Sequence, residues 1–142
     1  MVIAIDGPSG AGKTSTAKMV SKELGFYYCD SGSLYRAITY FLLNRKIDLN
    51  SDVKIRQAIE NIELEYNLEN NKIFIDGCDV TPCLRTVEVT ESVSLVSSKK
   101  DVRDKLIDIQ KNLAVGNNIV LDGRDIGTTV FPDADYKFFL SA

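Results

Sequence analysis

The hydrophobic and polar positions along the chain change period several times, and each change marks an element. Val2-Ile3-Ala4-Ile5 is a short apolar run of strand character, closed by Asp6. From Thr16 to Leu24 the spacing turns helical: Ala17, Val20 and Leu24 share a face that Lys18, Lys22 and Glu23 mostly avoid. Phe26-Tyr27-Tyr28-Cys29 predicts a second strand, ending in the polar cluster Asp30-Ser31-Gly32-Ser33. Leu34, Ile38, Phe41 and Leu42 predict a helix over 34–43, with Ser31 or Ser33 as its cap and Arg36 in its first turn. Ser51-Asp52 reads as another helix start, with Val53, Ile55, Ala58 and Ile59 as the apolar residues.

The period then shortens to two. Ile62-Glu63-Leu64-Glu65-Tyr66-Asn67-Leu68 alternates strictly, Glu69-Asn70-Asn71 is turn material, and Lys72 to Gly77 makes a second strand. This is a β-hairpin with one solvated face. It interrupts the strand–helix rhythm and so reads as an insert on the ligand-binding side of a sheet. Thr81-Pro82 breaks the chain, and Thr86 or Thr90 is placed to cap a helix running through Val93 and Leu95. A further helix restarts at 97–101, with a stripe of Val102, Leu106, Ile109 and Leu113, and ends at Gly116-Asn117-Asn118. Ile119-Val120-Leu121 predicts a buried parallel strand ended by Asp122, and Tyr136 to Leu140 predicts another core strand. Strands alternating with helices predict an α/β fold around a parallel sheet, with a small antiparallel β insert.

Bulk properties narrow the chemistry. At 142 residues there is room for one domain with a real core. The net charge of −3 argues against broad electrostatic binding of nucleic acid. No apolar segment approaches membrane-spanning length, so no membrane partner is expected. The N-terminus enters a strand without the basic start and apolar run of a signal peptide. Cys29, Cys78 and Cys83 are an odd set without CxxC spacing, and the chain has no histidine. Structural zinc, a disulfide framework and any His-based triad lose support, and reduced thiols in the cytoplasm are expected.

The most informative stretch joins the first strand to the first helix. Gly7-Pro8-Ser9-Gly10-Ala11-Gly12-Lys13-Thr14 matches G-x-x-x-x-G-K-[ST], the phosphate-binding P-loop, in the strand–loop–helix context that motif requires. Glycines let backbone N–H groups turn inward as an anion nest, and the helix N-terminus adds partial positive charge. Lys13 supplies a mobile charge toward the β- and γ-phosphates, and the Thr14 hydroxyl is placed to ligate Mg²⁺. A nucleoside triphosphate is the expected ligand. A second stretch, Asp122-Gly123-Arg124-Asp125-Ile126-Gly127, puts a carboxylate at a strand end, where it can reach Mg²⁺ directly or through water. Two opposite charges follow it in a glycine-rich loop at the sheet edge where such folds bind ligands.

With these two stretches and Asp30-Ser31-Gly32-Ser33-Leu34-Tyr35-Arg36 together, the chain resembles the bacterial cytidylate kinases over its whole length. D-S-G-x-x-Y-R and D-G-R-D-x-G-T are far more specific than the P-loop alone. The resemblance implies a P-loop NTPase three-layer fold forming one kinase domain over 1–142. Its core would be 1–30 and 86–142, and 31–85 would be a monophosphate-binding region carrying the hairpin. It implies transfer of the γ-phosphoryl group of ATP to CMP or dCMP with Mg²⁺, in a cytoplasmic enzyme that is a monomer when complete. Gly7, Pro8, Ser9, Gly10, Ala11, Gly12, Lys13, Thr14 and Ser15 would bind ATP. Ser31 and Arg36 would hold the acceptor's phosphate, and Ser94, Arg103 and Asp125 would read the cytosine. Arg124 would lie by the phosphates and share the catalytic work with Lys13, and Thr14 and Asp122 would attend the metal. Family members continue beyond the strand that ends near Ala142 with an arginine-rich lid, a helix and a strand. A chain lacking that lid and C-terminal part is expected to bind nucleotide and to transfer phosphate poorly, because charge stabilisation and water exclusion are incomplete.

Overall fold

The structure, a computed structural model, describes residues 1–141. In chain order the elements are β1 (Val2–Asp6), α1 (Lys13–Leu24), β2 (Tyr27–Asp30), α2 (Ser31–Asn44), α3 (Asp52–Ile59), β3 (Leu64–Asn67), β4 (Lys72–Ile75), β5 (Cys78–Asp79), a 3₁₀ turn (Thr81–Cys83), α4 (Val87–Ser97), α5 (Lys100–Ala114), β6 (Ile119–Gly123), a π-helical turn (Ile126–Val130) and β7 (Tyr136–Phe139). The chain divides into two compact units: residues 1–32 together with the described residues from 109 onward, and Ser33–Asp108.

The first unit is built on a parallel sheet with strand order β2-β6-β1-β7 among the described residues. A strand covered on both faces reads as a near-continuous apolar run. β6 fits that pattern: Ile119, Val120 and Leu121 are all fully buried. Ile3, Ile5, Tyr28 and Val120 pack with Ala17 of α1, and Val20, Phe26 and Leu140 close the cluster. Glycine ends α1, because Gly25 adopts φ +69° and its N–H returns to Lys22 and Ser21. Since all four strands run the same way, Asp6, Asp30, Gly123 and Phe139 end at one edge of the sheet.

The second unit carries the antiparallel sheet β3-β4-β5. Its pairing sets Leu64 opposite Ile75 and Tyr66 opposite Ile73, so one face is buried while Glu65 and Asn67 point to water. Ser51 caps α3 by accepting from Lys54 N–H at 3.2 Å, and Thr86, of the two candidates, caps α4 by accepting from Val89 N–H at 3.3 Å.

Several expectations need correction. β7 is not a core strand, since all four of its residues are exposed. Among the described residues it pairs with β1 alone and forms the sheet's edge, a position that apolar content does not reveal. Ser31 does not cap α2 from outside but opens the helix, which moves Arg36 from the first turn to the second. On α5 the fully buried positions are Val102, Leu106 and Gln110, while Ile109 and Leu113 are only half-buried. The hairpin strands are shorter than the alternation suggested, and β5 is an additional two-residue strand.

Candidate functional site

Between β1 and α1 the chain makes an anion cradle for identifiable reasons. Gly10 and Gly12 sit at φ +80° and +82°, a region that residues with a Cβ rarely adopt. Gly12 is the N-cap of α1, and it supplies no side-chain bond to the helix's first N–H groups, nor does the first turn hold an acid. Those donors and the helix dipole are therefore left for an anion. Gly7 meets a different constraint: a Cβ there would stand 2.5 Å from the backbone oxygen of Leu140. Lys13 Nζ reaches the loop's own carbonyl at Pro8, 3.5 Å away. Pro8, Ser9, Gly10, Thr14 and Ser15 are exposed.

Behind the loop lies a buried carboxylate. Asp122 is 1% exposed, and the Tyr28 hydroxyl donates to its Oδ2 at 2.8 Å. Its strand partner in register on β2 is Asp30. Burial and then the Asp30 charge push the Asp122 carboxyl up to about 6, against hydrogen bonds from Tyr28 and Thr14 and the charge of Lys13. Burial, followed by the charges of Asp30 and Asp122, holds the Tyr28 hydroxyl well above the ordinary phenol range, so it remains a donor. Burial likewise raises the Cys29 thiol, which makes it unreactive. Ser31 Oγ donates to the Asp122 carbonyl at 2.7 Å, which ties the start of α2 to β6.

The turn after β6 folds back over the loop. Arg124 Nη2 donates to Ser9 Oγ at 2.8 Å. Asp125 is half-buried, and its carbonyl accepts from Thr129 and Val130 N–H to close the π-helical turn. Asp6, buried at the end of β1, accepts from the Ile126 and Gly127 N–H groups, each at 2.8 Å.

The first unit thus brings together the residues from Gly7 to Ser15 with Ser31, Asp122, Arg124 and Asp125. Arg36, Ser94 and Arg103 belong to the second unit. There Arg36 Nη1 donates to the Leu84 carbonyl at 3.1 Å and to Thr90 Oγ1 at 3.0 Å, while Ser94 on α4 and Arg103 on α5 are exposed. Asp6, Tyr28 and Asp30 were not singled out for a role at the site by sequence reasoning. The signal available for all three was the same: a polar group inside or ending an otherwise apolar strand.

The oxygen donors Thr14 and Asp122, joined by a hydrogen bond and exposed to the Lys13 charge, suit a hard cation bound alongside phosphate. Among the described residues no helix is long and apolar enough to cross a membrane.

Comparison with known proteins gives a consistent result. The family model described as cytidylate kinase matches residues 3–142. A cytidylate kinase of Clostridioides difficile (strain 630) is 45% identical over 142 residues, covering 100% of this chain and 65% of that protein. One from Ligilactobacillus salivarius (strain UCC118) is 46% identical, covering 99% and 63%. One from Halalkalibacterium halodurans is 46% identical over 144 residues, covering 100% and 65%. The chain therefore spans a little under two thirds of the length of these relatives.

Proposed function

The chain belongs to the cytidylate kinase family, and on that premise we propose that it binds ATP at the glycine loop and serves transfer of the γ-phosphoryl group to CMP or dCMP. The observation that carries this reading is the glycine cradle, with Lys13 at its end and Arg124 held on Ser9. Gly7 to Ser15 surround the triphosphate, Lys13 and Arg124 neutralise charge on the transferred group, and Ser31 and Arg36 hold the acceptor phosphate. Ser94, Arg103 and Asp125 read the base. A carboxylate suits the cytosine amino group, and an arginine and a hydroxyl suit its ring nitrogen and carbonyl. Uracil would place a carbonyl against Asp125, a mismatch that disfavours it.

In the reaction an oxygen of the acceptor's phosphate forms a bond to the γ-phosphorus as the bond from that phosphorus to the β,γ-bridging oxygen breaks, leaving ADP and CDP or dCDP. That acceptor oxygen is already anionic near neutral pH, so no general base is needed, which agrees with a chain that has no histidine. Alignment and charge stabilisation then supply the catalysis. Thr14 and Asp122 would hold Mg²⁺, which when bound neutralises phosphate charge. The enzyme is proposed to act as a monomer in the cytoplasm.

ADP formation from Mg-ATP is measured with CMP, dCMP, UMP and AMP offered separately, beside equilibrium binding of each nucleotide. Selective turnover with CMP and dCMP is expected of a kinase with this specificity. Equal turnover with UMP or AMP would sink the cytosine-reading roles and favour a P-loop kinase with another acceptor. These residues span a little under two thirds of the relatives' length, and for them alone a second reading is binding without turnover. Saturable CMP binding that Asp125→Ala weakens, with no ADP formed, would select it.

A further inference from the structure

The segment from Gly123 to Gly127 is tied to the end of β1 on both sides. At its start the Gly123 carbonyl accepts from Gly7 N–H at 3.2 Å. At its finish both oxygens of the Asp6 carboxylate are used, Oδ1 by Ile126 N–H and Oδ2 by Gly127 N–H. Between the two ties lie Arg124 and Asp125, and beyond the first tie the same two residues, Asp6 and Gly7, lead into the glycine loop. The glycines at the ends of the segment fit this close pinning. A Cβ at 123 would meet Ser31 Oγ at 2.5 Å and Ile126 Cγ1 at 2.8 Å, and one at 127 would stand 3.3 Å from Asp6 Oδ2.

A carboxylate is an expensive group to bury at the end of an apolar strand, and it is tolerated only where hydrogen bonds replace water. Asp6 is 6% exposed, yet its strand pairing uses only backbone groups. Its side chain is spent wholly on two amides of the turn that carries Arg124. Two acceptor oxygens meet two donors, a match that Asn, with one acceptor and one donor group, does not supply.

We propose that Asp6 is a positioning residue for phosphate binding, acting through Arg124. By gripping the amides of Ile126 and Gly127 it fixes the turn so that the Arg124 guanidinium stands over the glycine loop at Ser9. Asp6 itself touches no nucleotide. This deepens the ATP-binding reading above and rests on it for its functional consequence.

The test compares the 142-residue chain with Asp6→Asn, Arg124→Ala and the double variant. Three quantities are read: Mg-ATP affinity, hydrogen exchange at the Ile126 and Gly127 amides, and mobility of the Arg124 guanidinium by NMR. Asp6→Asn is expected to speed exchange at both amides, to mobilise Arg124 and to weaken Mg-ATP binding about three- to tenfold, the scale of one lost hydrogen bond. In the Arg124→Ala background the same change should leave affinity where Arg124→Ala alone put it. Full additivity of the two losses would overturn the proposal, because Asp6 would then act on the loop independently of Arg124. An ordered Arg124 in Asp6→Asn would overturn it too. If Asp6→Asn does not fold, Gly127→Ala crowds the same bond from the other side, and the same signs and the same dependence on Arg124 are expected. Absence of Mg-ATP binding by the unaltered chain would defeat the functional reading instead. The guanidinium mobility would still decide whether Asp6 holds Arg124.

Discussion

The two sheets of this protein solve the same problem in opposite ways. In the parallel sheet, β6 is buried at every position, and its one ionisable residue, Asp122, is buried with the rest. In the antiparallel sheet, β3 alternates buried and exposed, and its one carboxylate, Glu65, simply faces water. Both arrangements satisfy the backbone. Only the first forces polar side chains at strand ends to find partners inside the protein, and those partners are what organise the candidate site. The antiparallel sheet holds its unit together by burying apolar groups, and none of the residues assigned to ATP or CMP lies on its three strands.

The contrast is broken most readily by a large substitution on the antiparallel side. Ile73 is fully buried, so Ile73→Ala should lower stability by about 2–5 kcal/mol in urea titrations. Mg-ATP affinity of the folded fraction should hold. A parallel fall in affinity would mean that the antiparallel sheet also governs the loop.

Asp122→Asn should act in the reverse sense. The carboxyl of Asp122, raised by burial and Asp30 to about 6, binds its proton more tightly in the fold than the ordinary carboxylate near 4. Its ionisation therefore weakens the fold: stability is fully present below about pH 4 and is lost as pH rises through about 6. An amide keeps an oxygen for Tyr28 and has no charge to bury. The variant should gain up to about 3 kcal/mol over the native chain at pH 7, fading to nothing near pH 4, while Mg-ATP binding weakens. Unfolding midpoints that track each other across this range would show that the carboxylate is not destabilised by its surroundings. Tyr28→Phe, which removes a donor from the same carboxylate, should cost about 1–2 kcal/mol at neutral pH, measurable by thermal or chemical unfolding. Glu65→Ala, on the solvated face, should stay within about 0.5 kcal/mol and leave every binding constant alone. A larger effect would give that face a role the burial pattern does not show.

What was legible in the sequence was what is local. The glycine loop declares itself because positive φ, a lysine and a flanking strand and helix all lie within a few residues. The alternation from Ile62 to Leu68 gave the hairpin, and a hydroxyl before a periodic run gave the Ser51 cap and narrowed the α4 cap to Thr86 or Thr90. What escaped depends on partners far along the chain. Tyr28 meets Asp122, and Asp6 meets Ile126 and Gly127, across separations of 94, 120 and 121 residues. No periodicity carries that information. β7 misled for a related reason: Tyr136, Phe138 and Phe139 have the composition of a core strand, but whether a strand is central or at an edge is decided by its neighbours.

The same long separations set an order of events during synthesis. β1 is made well ahead of its partners, positions 119–123 and 136–139. At ordinary translation rates it waits on the order of ten seconds for them. In that interval the segment from Ser33 to Asp108 has all of its own contacts available and can collapse first. The nascent glycine loop meanwhile hangs from an apolar strand with no sheet to join, a target for chaperones or for other nascent chains. The glycine loop is therefore completed late: it leaves the ribosome well before positions 119–139, and the sheet it hangs from forms only once they have joined β1.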